Sequence, residues 1–346
     1  MKDLRRIADL SPADLQLLLD EADAVRADPH RYPNLLAGGA VVLCFAQSST
    51  GTDLAFQTAV GRLGGMPLTV GPDQLRSLPA QRLANGITVG GQVVRAIVVC
   101  GFADADLRQV IAAAPVPVPV VNVLSDRHDP CQVLAGLLTL RQRWGGLAGR
   151  KIVYVGDGGN VAHSLLEAAA LAGMDVTVAT PYGLEPHPAV VARARALAAQ
   201  QRCRVEVTLD PALAVRGADA VVTDVWLSMH DPERSRAARA HLLEPFRVDG
   251  RLMAAAKPDA VFLHCLPAHR GEEVTGEVID GPRSLVSEQA ANLLPIAQAV
   301  LSALLRGRLH GHRDGPPVPD DTGPLAAAIT DATRHRGDLP DTARTT

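Results

Sequence analysis

Five short stretches of the chain gather hydroxyl, amide, carboxyl, imidazole or thiol groups where a ligand could meet them. Ser48-Ser49-Thr50-Gly51-Thr52 follows an apolar run ending at Phe45 and opens a helical pattern with Leu54, Ala55, Ala59 and Leu63 on one face. Hydroxyls and free N–H groups at such a start can hold an anion, or they can simply cap the helix. His128-Asp129-Pro130-Cys131-Gln132 also enters a helix, and the Gln132 amide there suits a carbonyl group. In Gly156-Asp157-Gly158-Gly159-Asn160 the glycines permit a tight turn at the end of a strand, from which Asn160 can reach a bound polar group. Asp224 to Met229 and His264 to Gly271 each follow an apolar strand directly. Asp224 can act as an acid or base, or cap a turn, and Cys265 can serve a reacting group or be a buried hydrophobe.

Two chemistries fit poorly. The glycine stretch has Val161 where the last glycine of a dinucleotide fingerprint belongs, so a nicotinamide site is weakly supported. His264 and His269 lie five residues apart without matching carboxylates, so no metal is expected, and no cofactor.

The elements that must position these groups follow from the pattern around them. Short Val- and Ile-rich runs alternate with amphipathic stretches from Val41 onward, which predicts an α/β fold with parallel sheets and crossover helices. Strands are expected at 41–45, 96–100, 118–123, 151–156, 175–180, 204–208, 219–224 and 260–265. Ser11 and Pro12 should start a first helix, and Asp129 and Pro130 another that stops at Gly145-Gly146. The expected units are a first domain over 1–140, a second over 141–285, a helix over 286–307 that returns to the first domain, and a mobile tail over 308–346.

Composition limits the partners. With 346 residues, 47% of them hydrophobic, the chain can bury two cores, and its net charge of -3 gives no field to recruit nucleic acid or an anionic membrane. Five cysteines without paired spacing suit reduced thiols in a cytoplasm. The opening MKDLRRIADLSPADL lacks a signal-peptide core, and no run is long enough to span a membrane. A small-molecule partner is expected.

Across about residues 3 to 306 these motifs, in this order, resemble the ornithine carbamoyltransferase branch of the aspartate/ornithine carbamoyltransferase family. The resemblance rests on the hydroxyl loop with Leu63-Gly64-Gly65 after it, GDGGNVAHSLLEAAALAGMDVTVATPYGLEP at 156–186, TDVWLSM at 223–229 and HCLPAHRGEEVTGEVIDGP at 264–282. It implies a donor domain for carbamoyl phosphate, a second domain for the amino acid, and a homotrimer whose neighbouring subunits complete the site. Asn160, Asp224, Ser228 and Met229 stand where the family holds the backbone groups of ornithine, with Cys265 and Leu266 beside the reacting amine.

The donor half departs from that pattern. The family's Ser-Thr-Arg-Thr-Arg loop reads Ser49-Thr50-Gly51-Thr52-Asp53 here, its strand-end arginine is Cys100, its loop histidine is Asp129, and its late arginine is Leu293. Only Ser49, Thr50, Thr52 and Gln132 remain to hold a donor. The expectation is a divergent transferase that moves a carbamoyl or related acyl group to the side-chain amine of an ornithine-like amino acid, from a donor poorer in phosphate charge than carbamoyl phosphate, with the classical reaction left open. The alternative is a non-catalytic, ornithine-binding or regulatory homologue.

Overall fold

The structure, a computed structural model, describes residues 1–46, 50–73, 93–114, 117–226 and 236–311. Ser49, Ser228, Met229 and the tail from 312 onward therefore lie outside the described residues.

Two all-parallel sheets organise the chain. The first joins β1 (Ala40–Phe45), β2 (Met66–Val70), β3 (Val94–Phe102) and β4 (Val120–Ser125) in the order β2-β1-β3-β4. The second joins β5 (Lys151–Val155), β6 (Asp175–Ala179), β7 (Val205–Thr208), β8 (Ala220–Thr223) and β9 (Val261–His264) in the order β7-β6-β5-β8-β9. β1 and β8 are buried along their whole length, as strands covered on both faces by helices must be, which explains their unbroken apolar runs. β2 escaped the sequence pattern because it is a five-residue edge strand with Pro67 inside it and no fully buried position. β4 begins two residues later than expected, since Pro119 has no N–H for the ladder and contributes only its carbonyl, to Ile97.

The main helices are α1 (Pro12–Ala27), α2 (Thr50–Arg62), α3 (Asp104–Ala113), α4 (Pro130–Trp144), α5 (Asn160–Leu171), α6 (Pro188–Gln201) and α7 (Val286–Leu305). Ser11 and Asp14 form a reciprocal capping box at α1. Asp129 caps α4 by accepting the Gln132 N–H, and Gly145 ends it in the left-handed conformation.

Both chain ends stitch the halves together. α7 packs on α1, α2 and α4, and Asn292 donates to Thr139 Oγ1 at 2.9 Å. Near the start, Leu4 bridges to Val121, while the Ala8 N–H donates to Glu167 of α5 in the second half. Glu167 is fully buried and pairs with Arg193 at 2.6 Å, so its charge is compensated inside the protein.

This topology decides where a site can form. Strand order reverses between β1 and β3 and between β5 and β8, and open α/β sheets bind ligands beyond the carboxyl ends of strands at such reversals. The five chemistry-bearing stretches follow β1, β4, β5, β8 and β9. Among the described residues no helix is long and apolar enough to cross a membrane.

Candidate active site between two parallel sheets

On the side of the first sheet, Thr50 is exposed at the opening of α2, Thr52 is buried in its first turn, and the space around Gly51 is open. Asp53 accepts a hydrogen bond from Gln57 at 2.8 Å. Cys100 sits where the pairing of β3 and β4 slips, and it is buried. Leu293, reaching in from α7, is also buried and shares one apolar cluster with Cys100, Cys131 and Cys265. Asp129 is 6% exposed. Its N–H donates to Ser164 Oγ at 2.8 Å and its Oδ1 accepts from Gln132 at 3.2 Å. Gln132 is half-buried beside it.

Among the described residues, the groups at positions 53, 100, 129 and 293 are neutral or acidic. Burial pushes Asp129 up to about 7, against the lowering effect of the Gln132 N–H. Burial also raises the Cys100 thiol, and the charges of Asp129 and Asp53 raise it further. Burial first and His128 next depress His163 to about 3; the Arg127 carbonyl favours its charge and the Arg127 guanidinium opposes it. Arg127 Nη1 is buried without a hydrogen-bond partner among the described residues.

On the side of the second sheet, Asn160 opens α5 and is committed to structure as well as position. Its Oδ1 accepts from the Val161 N–H at 2.8 Å, and its amide donates to Ser125 O at 2.9 Å, tying the two halves at the loop that leads to Asp129. Asp224 follows β8, and burial pushes its carboxyl up to about 7; His264 opposes this while Asp157 and Asp129 add to it. Cys265 follows β9 as a buried thiol, driven well above its ordinary value by burial and then by Asp224 and Asp129. Gln289 of α7 donates to its sulfur at 3.5 Å. Leu266 beyond it is 49% exposed.

Asp129 from one half and Asp224 and Cys265 from the other thus act on one another across a shared site. Two carboxyls that each hold a proton near neutrality can titrate as a pair and accept a proton from an amine, while Cys265 stays a neutral thiol. The described residues also bring in groups that the sequence did not single out as ligands. Tyr154 donates to Asp157 at 3.2 Å, and Arg239 pairs with Asp157 at 3.1 Å. Gln289 lies one turn before Asn292, and its hydrogen bond to Cys265 and its packing over Gly136 give it a place in the site.

The glycine stretch serves packing. The Gly158 N–H donates to Leu184 O at 2.7 Å, and a Cβ there would fall 2.2 Å from Pro186 N. Protein backbone fills the space that a pyrophosphate would need, which removes the basis for a nicotinamide reading.

Comparison with known proteins agrees with this architecture. The family model for the aspartate/ornithine carbamoyltransferase carbamoyl-P binding domain matches residues 2–142, and that for the Asp/Orn binding domain matches residues 148–304. An ornithine carbamoyltransferase of Acidothermus cellulolyticus is 46% identical over 300 residues, covering 86% of this chain and 94% of the relative. The structure of ornithine carbamoyltransferase from Pyrococcus furiosus superposes with a TM-score of 0.82 at 39% identity, covering 88% of this chain and 97% of the other. A mutant N-acetyl-L-ornithine transcarbamylase superposes with a TM-score of 0.78 at 27% identity, covering 88% of this chain and all of the other. Two family models spanning both halves, with relatives of matching length and fold, establish that the chain belongs to the aspartate/ornithine carbamoyltransferase family.

Proposed function

We propose that this protein transfers a carbamoyl or related acyl group to the side-chain amine of ornithine or a close analogue, from a donor that carries little phosphate charge. The proposal takes the protein to act in the cytoplasm as a homotrimer, without a cofactor. The relatives named above support carbamoyl transfer to ornithine. One observation supports the change of donor: Asp129, Cys100 and Leu293 stand in the donor half as a buried acid, a buried thiol and a packed aliphatic side chain. A dianion entering there meets Asp53 and Asp129 without a guanidinium from Gly51, Cys100 or Leu293 to receive it.

In this reading Asn160, Ser228 and Met229 hold the amino-acid backbone, and Cys265 and Leu266 position the amine. Asp224, poised near neutrality, accepts the proton that the amine must lose. The free amine attacks the donor carbonyl carbon. Gln132 and the hydroxyls of Ser49, Thr50 and Thr52 donate hydrogen bonds to the oxyanion that develops. The tetrahedral intermediate collapses as the bond to the leaving group breaks, its electron pair and the proton shed by the attacking nitrogen going to the leaving group, which gives the acylated amine.

Ornithine incubated with the protein and a panel of acyl donors, analysed by mass spectrometry, tests this directly. Acylated ornithine should form faster from a neutral-leaving-group donor than from carbamoyl phosphate. Preferential citrulline formation from carbamoyl phosphate would overturn the donor assignment. Ornithine binding without product from any donor would favour the second reading, a silent ornithine-binding or regulatory homologue. That reading draws on the same buried Asp129 and on the engagement of the Asn160 amide by Ser125.

A further inference from the structure

Along the chain, His264 and His269 lack carboxylate partners, yet the fold supplies two. After β9 the backbone turns back, and one atom each from His269, Glu272 and Glu273 lie within 4.8 Å of one another. Glu273 anchors the group. It is fully buried; its Oε1 stands 3.3 Å from His264 Nε2 and accepts the His269 N–H. Its Oε2 is buried without a hydrogen-bond partner among the described residues and lies 3.7 Å from His269 Nδ1.

That last distance is informative. It exceeds a hydrogen bond, but two ligands each about 2.1 Å from one ion stand about 3.4 Å apart in tetrahedral geometry and farther as the angle opens. A buried carboxylate oxygen left unsatisfied is costly, and a cation would relieve it. The His264 ring and the His269 N–H both face the Glu273 carboxyl. His264 stands behind it in the place of the outer partner that orients a metal-bound carboxylate.

We propose that His269, Glu272 and Glu273 form a binding site for a divalent transition-metal ion of the zinc type, with water completing the coordination shell. One imidazole and two carboxylates favour zinc over magnesium, which prefers an all-oxygen octahedron. The ion pins the turn that begins with Cys265 and Leu266, so the site bears on the acceptor side of the cleft without touching it.

Calorimetric titration of the full chain with zinc and magnesium, with cobalt(II) as the spectroscopic substitute, tests the proposal on the parent protein, His269→Ala and Glu272→Gln. Both changed residues are exposed, so the fold should survive either change. The expected result is one zinc per chain and a preference over magnesium. Each variant should weaken zinc by more than roughly tenfold, the lower end of what even an outer partner's loss costs. The cobalt spectrum should lack thiolate charge transfer. Equal zinc affinity in parent and both variants, or a thiolate band that places the metal on a cysteine, would overturn it.

Discussion

Carbamoyl phosphate is expected to bind the Gly51→Arg, Cys100→Arg, Leu293→Arg chain far more tightly once Asp129→His is added. Charged hydrogen bonds contribute roughly 1.5 to 3 kcal/mol each, so three guanidinium contacts are worth roughly 5 to 9 kcal/mol, or three to six powers of ten in affinity. The fourth change matters because Asp129 lies close enough to Cys100 for its charge to act on that thiol. A guanidinium introduced at position 100 alone would pair with Asp129 before it met phosphate. Cys100 and Leu293 are buried, so the full variant risks its fold. Gly51→Arg with Asp129→His changes a single buried residue, since none of the described residues lies within 4 Å of a Cβ at Gly51. That pair should already gain about tenfold or more. No gain in either variant, with the fold intact by circular dichroism, would mean that the missing side chains do not explain the donor preference.

Asp129→Asn should stabilise the protein, and increasingly so as pH rises. The folded protein holds the Asp129 proton up to about pH 7, whereas the ordinary value is 3.8. Between those limits the folded state binds more protons than the unfolded one, so this group's stability contribution is present at low pH and is lost as pH climbs toward 7. About three units at 1.36 kcal/mol each give an upper figure of roughly 4 kcal/mol. Asparagine caps a helix as well as aspartate and carries no charge to bury. In urea denaturation the two proteins should match near pH 4 and differ by several kcal/mol above pH 7. The comparison must be made against the parent chain, because His163, held at about 3, works in the opposite direction over nearly the same range. A difference that stays constant with pH would show that Asp129 is not a buried, protonated acid.

Much of the frame was legible in the residues. Buried parallel strands must be apolar on both faces, so AVVLCF and AVVT announce themselves, and Ser11 and Asp129 cap the helices their side chains suggest. β2 was not legible, because an exposed edge strand needs no apolar pattern. The positions of Asp224, Asn160 and Cys265 after strands pointed to a cleft, since that is where open sheets expose their loops. Their environment could not be read: the burial that lifts both Asp224 and Asp129 exists only in the folded chain. The carboxylates facing His269 were missed for a similar reason. Spacing of three and four residues reads as a helix face or as nothing, whereas here a turn after β9 folds Glu272 and Glu273 back onto the imidazole.

The most direct measurement is calorimetric titration of the unaltered protein with carbamoyl phosphate, with ornithine as the companion ligand. Ornithine should give a clear binding heat, and carbamoyl phosphate should bind more weakly than about 1 mM, with inorganic phosphate no better. Micromolar carbamoyl phosphate affinity in the unaltered chain would contradict the idea that its donor half has lost the means to hold a phosphate dianion.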